Sequence, residues 1–522
     1  MSHFVHSCPT LAGLLALAAC APPPPAAPEP AVRVRIVHTA DVHGRLLPER
    51  PAWAGGRAVG GAAVLAAHYD SAAARFGGPT LLLSGGDDLQ GTPLSNLSWG
   101  RATIHAHNAA GYDAAALGNH EFDWGVDTLA ARVAESRFPW LAANLFVAGT
   151  GRHPAWARPW VMVERGGVRV GVIGIALPTT PDNVVAGRVA GLEFTPAAPA
   201  VDLAAREARA AGAHFVVVTA HVGAICDNPG RSPDEASSGC SGELLRLARE
   251  VAEPVDLFLG GHTHRRVVAE VDGVPVLEPA SYDTAYSVTD LERRGGVTRV
   301  LRREVRTAWA DEVDPDTAVA RVVGEWEARV RPVTERVVAS LAAALEHPDQ
   351  GEYPLGNLLA DAFRSAAGAQ AALVNNGSIR RPLPAGPVTW GMLYEVQPFG
   401  NALVTVEVTG AQLRAALENG LGRGGVPDAH VSGLAVSYDP AAPAGSRVRE
   451  VRLDDGRVVG DADVVTLAVT EFVARGGDRY ASIAQGRARP PAMVELDALI
   501  AYLQSLPQPI AAPAGRRWRP VR

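Results

Sequence analysis

A two-domain α/β fold is what this sequence predicts, and three observations predict it. Short apolar runs alternate with amphipathic stretches from residue 32 onward, the pattern of strands and helices packed in layers. Near residue 305 that rhythm gives way to apolar residues at three-four spacing, and from about residue 350 a second alternating segment begins. At 522 residues and 47% hydrophobic content, the chain can build more than one large core.

The elements follow in order. Residues 11–19, LAGLLALAA, are too short an apolar run to span a bilayer; Leu17-Ala18-Ala19-Cys20 resembles a bacterial lipobox and is followed by APPPPAAPEP. Residues 1–20 are therefore expected to be a lipoprotein signal peptide with Cys20 lipidated, although the n-region carries no Arg or Lys and an ordinary cleaved signal stays open; residues 21–31 read as a Pro-rich linker. Strands are expected at 32–40, 80–86, 114–119, 140–145, 168–176, 214–220, 256–261 and 274–280, with helices between them. Val319, Val322, Val323, Trp326, Val330, Val333, Val337, Leu341 and Leu345 predict one long amphipathic helix over 315–346, kinked at Pro332, as a connector. The last segment has strand candidates at ALVNN, LVTVEV, AVSYD and VVTLAVT. The implied division is 32–310, a connector at 311–346, and 347–522.

Composition excludes several chemistries. The chain has no lysine, so all 48 basic residues are arginine, and P-loop, kinase and Schiff-base lysine sites are ruled out. A net charge of -7 without a basic run argues against a nucleic-acid polymer as partner. Four cysteines are present; with Cys8 removed and Cys20 lipidated, Cys226 and Cys240 remain, separated by a loop-like DNPGRSPDEASSG and expected to form a disulfide in an oxidising compartment.

Ligands in α/β sheets bind beyond the carboxyl ends of strands, and here those ends carry chemistry. Asp41 and His43 follow the first strand, Asp87 the second, Asn119 and His120 the third, His221 the sixth, and His262 and His264 the seventh. Carboxylate, amide oxygen and imidazole together suit hard or borderline divalent ions such as Mn, Zn, Mg, Ca or Fe. Two such ions sharing one carboxylate would hold an attacking hydroxide against a phosphoryl group for in-line displacement.

The ordered blocks A-D-V-H-G (40–44), G-D-D-L-Q-G (86–91), G-N-H-E-F-D (118–123), A-H-V-G (220–223) and G-G-H-T-H (260–264) resemble the calcineurin-like metallophosphoesterases, and more narrowly the bacterial periplasmic 5'-nucleotidase and UDP-sugar hydrolase family. The resemblance implies an N-terminal four-layer αββα sandwich and a C-terminal α/β 5'-nucleotidase domain joined by the helix. It implies one metal on Asp41, His43, Asp87 and His264 and a second on Asp87, Asn119, His221 and His262, with Asp87 bridging. His120 would stabilise the transition state near the leaving group and Asp123 would orient it; a helix starting near Trp124 would instead make Asp123 an N-cap, and both roles can coexist.

Y-P-L-G-N-L-L-A-D-A-F-R (353–364), N-N-G-S-I-R (375–380), Q-P-F-G-N (397–401) and E-F-V-A-R-G-G-D-R-Y (471–480) resemble the nucleotide-binding elements of the same family. They imply Phe399 and Phe472 as a base sandwich, Asp478 on the ribose, Asn375 on the base edge, Arg380 as phosphate clamp and Arg364 as a weaker second clamp. Arg381 and Arg414 are expected to be solvated. Asn376, Ser378 and Arg479 stand where such relatives usually carry glycine, which bears on substrate choice. The expected protein is thus an envelope-anchored, monomeric nucleotide phosphohydrolase. Its rivals are a 2',3'-cyclic nucleotide phosphodiesterase with 3'-nucleotidase activity, a non-catalytic nucleotide-binding lipoprotein, and a thiosulfate-ester hydrolase.

Overall fold

The structure is a computed structural model that describes residue 1 and residues 31–185, 187–230, 235–490 and 493–521. All but the first residue of the expected signal peptide, Cys20 included, and all but the last residue of the 21–31 linker lie outside the described residues. Two six-stranded sheets form the N-terminal domain. One has the order Val297–Thr307, Ala285–Arg294, Val32–Thr39, Thr80–Ser84, Ala114–Ala116, Trp140–Leu141; the other runs Arg266–Val271, Val274–Pro279, Leu257–Leu259, Phe215–Ala220, Val168–Ile175, Trp160–Arg165.

All eight expected N-terminal strands are present, each buried on both faces, so period-two alternation divides two apolar sets. Val34, Ile36, Leu81, Leu83, Phe215 and Val217 fill the space between the sheets. Val37 and Leu82 point outward onto Leu65, Ile104 and Leu129 of helices Ala62–Phe76, Arg101–Ala110 and Val126–Glu135. Val216 and Val218 meet Val201 and Leu244 of helices Ala197–Ala210 and Glu243–Glu250. The result is the four-layer arrangement, helix, sheet, sheet, helix. Most strands stop short of the expected boundary, at Thr39, Ser84, Ala116 and Leu259, which leaves the polar residues that follow on loops at one rim.

The connector differs from expectation. Its helix spans Thr317–Thr334, capped by Asp316, whose carboxylate accepts from the Val319 N–H at 2.8 Å. Pro332 lies inside its last turn, where it brings no N–H to the Ala328 carbonyl. Residues Val337–Leu341 form a strand antiparallel to Gly386–Thr389, with Leu341 and Leu345 in the C-terminal core. Val319 and Val323 bury against Ala62, Ala66, Ala102 and Ala106, so the helix rides on the N-terminal domain.

The C-terminal sheet has the order Ala429–Ser432, Ala371–Asn375, Val464–Thr470, Ala402–Thr409, Arg487–Ala488. Helices Pro354–Ala367 and Glu495–Ser505 cover one face; helix Gly410–Asn419 and a small sheet containing Leu434–Tyr438 cover the other. Cys226 and Cys240 face each other across a hairpin of Ala224–Asn228 and Ser238–Gly242 and are joined in a disulfide. Among the described residues no helix is long and apolar enough to cross a membrane.

Candidate active site

The strand-end residues converge. Donor atoms of Asp41, His43 and His264 lie within 4.8 Å of one another, and so do those of Asp87, His221 and His262. Asp87 joins the two groups, its Oδ2 standing 3.0 Å from His221 Nε2 and 3.8 Å from His43 Nε2. His43 donates through Nδ1 to the Gln90 carbonyl at 2.8 Å and His221 through Nδ1 to the Gly85 carbonyl at 2.9 Å, so both turn Nε2 into the cluster as metal ligands do. Asn119 Oδ1 is buried and has no hydrogen-bond partner among the described residues. This donor set, with an unpartnered amide oxygen beside it, fits two divalent cations.

Such convergence strains the chain. Asp41, His43, Asp87, His262 and His264 have φ values of 54°, 50°, 56°, 78° and 57°, in the left-handed region that side chains other than glycine's rarely enter. A single buried carboxylate holds two of the ligand loops. Glu121 accepts from the Asp87 and Gly118 N–H groups at 2.8 and 2.7 Å through one oxygen, and from those of Asp88 and Leu89 at 2.8 and 3.1 Å through the other. Burial and the Asp87 charge push its pKa up to about 7, the four donors notwithstanding. Glu278 does the same for the 262–265 loop through Thr263 Oγ1 and the Arg265 N–H; burial raises it to about 8.

Charge in the cluster is divided. Burial pushes His43 well below its usual value and His262 down to about 4, so both are neutral and ligand-competent at pH 7. Burial works against charge on His120 too, but the carboxylates of Asp123 and Asp87 outweigh it and raise its pKa to about 9. His120 Nδ1 donates to Asp123 Oδ2 at 2.8 Å. Helix Val126–Glu135 begins behind Gly125 and not at Trp124, so Asp123 is no N-cap and its carboxylate is committed to His120.

One cavity of about 240 Å³ is bounded by both domains. Asp87, Asn119, His120, Asp123, His262 and His264 line one wall; Asn375, Arg380, Phe399, Phe472 and Asp478 line the other. Gln90 Nε2 and Asn96 Nδ2 both donate to the Pro398 carbonyl, at 3.1 and 3.0 Å, which lays the Phe399 ring 5.7 Å from that of His120. Asp478 accepts from Asn375 Nδ2 at 2.6 Å.

These two walls match known proteins. The family described as "5'-nucleotidase, C-terminal domain" matches residues 333–485, and that described as "Bacterial capsule synthesis protein PGA_cap" matches residues 69–276. The endonuclease YhcR of Bacillus subtilis is 29% identical over 452 residues, 83% of this chain and 36% of that protein. The chain thus spans about a third of that relative's length. A 5'-nucleotidase of Vibrio vulnificus is 27% identical over 90% of this chain and 89% of its own length. The crystal structure of a 5'-nucleotidase precursor from Thermus thermophilus superposes with a TM-score of 0.80 at 28% identity, covering 94% of this chain and 99% of that one.

The chain resembles the 5'-nucleotidase family. It has that family's two-domain fold, metallophosphoesterase then nucleotidase. Within this frame two expectations need correcting. Arg364 does not reach the cavity: it sits in the last turn of helix Pro354–Ala367 and pairs with Asp454 at 2.5 Å, because that helix turns the arginine toward the small sheet. Arg381 is not solvated but ion-paired with Glu49 and Glu395 between the domains. Arg414 lies near Asp461 at 3.5 Å. Ser378 is buried and donates to the Asn375 carbonyl at 2.8 Å, Asn376 accepts from the Tyr353 hydroxyl, and Arg479 is exposed. Sequence reasoning missed Glu121, Glu278, Tyr282 and Arg188, the last a cavity-lining arginine with no charged partner among the described residues. Of these only Glu121 stands inside a quoted block, G-N-H-E-F-D.

Proposed function

We propose that the chain is a metal-dependent phosphohydrolase of the 5'-nucleotidase type that releases phosphate from extracellular nucleotides. The observation that carries this is the shared cavity, with metal-ligand residues on one wall and a cation flanked by aromatic and acidic residues on the other. Two divalent ions, held by Asp41, His43, Asp87 and His264 and by Asp87, Asn119, His221 and His262, would neutralise phosphoryl charge and activate a water for in-line displacement. His120, protonated at pH 7, places positive charge beside the scissile phosphate. Arg380 offers a planar fork to the phosphate oxygens. Phe399 and Phe472 supply faces for a base, while Asp478 takes ribose hydroxyls and Asn375 the base edge.

The proposal extends to organisation and location. Residues 32–310 form the catalytic domain and 347–522 the substrate-binding domain; the protein works as a monomer outside the cytoplasm, attached through a lipid on Cys20. The disulfide supports an oxidising compartment. Purified protein with Mn is assayed against AMP, UDP-glucose and 2',3'-cyclic AMP. Release of phosphate from AMP is the expected result; turnover of the cyclic nucleotide alone would transfer the reading to a phosphodiesterase, and fewer than two bound ions at saturating metal would overturn the dinuclear site.

A further inference from the structure

We infer that Tyr282 is a positioning residue that aims Arg380 and ties its orientation to the metal-ligand loops. The inference rests on the phosphohydrolase reading above. Tyr282 adopts φ 63°, a conformation strained for an aromatic residue, next to Asp283 at φ 55°. Its backbone N–H donates to the carbonyl of Asp41 at 2.8 Å, and its ring edges pack on the rings of His264 and His43 at centroid distances of 5.3 and 5.8 Å. From this anchorage in the N-terminal domain, its hydroxyl accepts from Arg380 Nη2 of the C-terminal domain at 3.3 Å. Tyr282 does not itself line the cavity, so it acts through the arginine.

Charge around the phenol sorts three arginines into two roles. The guanidinium carbons of Arg45 and Arg381 lie 5.2 and 5.9 Å from the Tyr282 ring centroid. Both are neutralised: Arg45 by Glu49 at 2.8 Å and Glu395 at 3.0 Å, Arg381 by Glu49 and by Glu395 at 3.6 Å. Arg380 has no carboxylate within ion-pair distance among the described residues, so its charge is left for an anion in the cavity. The bond from its backbone N–H to the Val396 carbonyl, 2.9 Å, and the Tyr282 hydroxyl fix the two ends of the side chain. One side chain therefore spans from the candidate metal-ligand loops to the clamp across the domain boundary.

The test is a double-mutant cycle on the Mn-loaded full chain with AMP as substrate and inorganic phosphate as competitive inhibitor. Tyr282→Phe keeps the ring, so folding is preserved and only the hydroxyl is lost. The expected result is a rise of about fivefold to tenfold in KM and in the phosphate inhibition constant, with kcat changed by less than about twofold. In an Arg380→Ala background the same substitution adds less than about twofold. Unchanged KM and phosphate affinity, or an undiminished effect without Arg380, overturns the assignment. If the wild-type chain does not turn over AMP, the phosphohydrolase reading falls; calorimetric titration of the same four proteins with inorganic phosphate then still decides whether Tyr282 works through Arg380.

Discussion

Replacing Asp123 by asparagine tests the proton on which the proposed chemistry depends. His120 is raised from 6.5 to about 9 although burial opposes its charge, and Asp123, 2.8 Å from Nδ1, is the largest upward influence, followed by Asp87. That rise corresponds to about 3 kcal/mol favouring the imidazolium. Ions held by this cluster would draw the charge of Asp87 to themselves, which would leave Asp123 as the carboxylate that holds the proton. Asparagine keeps an acceptor but loses the charge, so the Asp123→Asn enzyme should lose at least half of the rise and its His120 pKa should fall by about 1 or more. The assay is the pH profile of kcat/KM for AMP between about pH 6 and 10 at saturating Mn, with bound metal measured in parallel. The expected outcome is an alkaline limb displaced downward by about 1 pH unit or more, with two ions retained. An unmoved limb with wild-type kcat would refute the dyad.

Three further outcomes are expected. A Cβ at Gly118 would stand 2.1 Å from Asp87 Oδ1, so Gly118→Ala should cut metal affinity by about 100-fold with the fold intact; wild-type metal content would contradict this. At Gly477 a Cβ would meet the Phe472 ring at 2.5 Å, so Gly477→Ala should raise KM for AMP by about tenfold and leave p-nitrophenyl phosphate turnover within about twofold; equal losses on both substrates would count against the base platform. Burial lowers the His430 pKa from 6.5 to about 3, so the unfolded chain binds the extra proton and stability is lost as pH falls from 6.5 toward 3, by about 2 kcal/mol at pH 5. His430→Phe keeps a ring and cannot titrate, so urea unfolding of this variant should lose that much less stability between pH 7.5 and 5 than the wild type; an unaltered pH slope rules the account out.

The catalytic loops were legible because each follows a run of residues buried on both faces, such as Thr80–Ser84, so a polar residue immediately beyond has no packing reason to be there. The paired strands Ala285–Arg294 and Val297–Thr307 were not, since charged residues such as Arg293, Arg299 and Arg302 break their apolar pattern. Gly295 and Gly296, both with positive φ, were the available turn signal. The connector misled because Val337, Leu341 and Leu345 continue the helical spacing while Leu341 and Leu345 are core residues of the next domain.

The sequence by itself pointed to the layered α/β class and to the disulfide pair, and its resemblance to a known family, carried by ordered blocks at strand ends, implied seven candidate metal ligands and the His120–Asp123 partnership. The sequence offered Arg380 as a clamp and Arg364 as a second; only the tertiary structure decided that of Arg364, Arg380 and Arg381 it is Arg380 that lines the cavity. Arg364, Arg380 and Arg381 are chemically identical; Asp454, Glu49 and Glu395 neutralise two of them, and Tyr282, 98 positions away from Arg380, holds the third over the cavity. A guanidinium's role is set by the charges folded against it, and those partners lie at separations that no local pattern encodes.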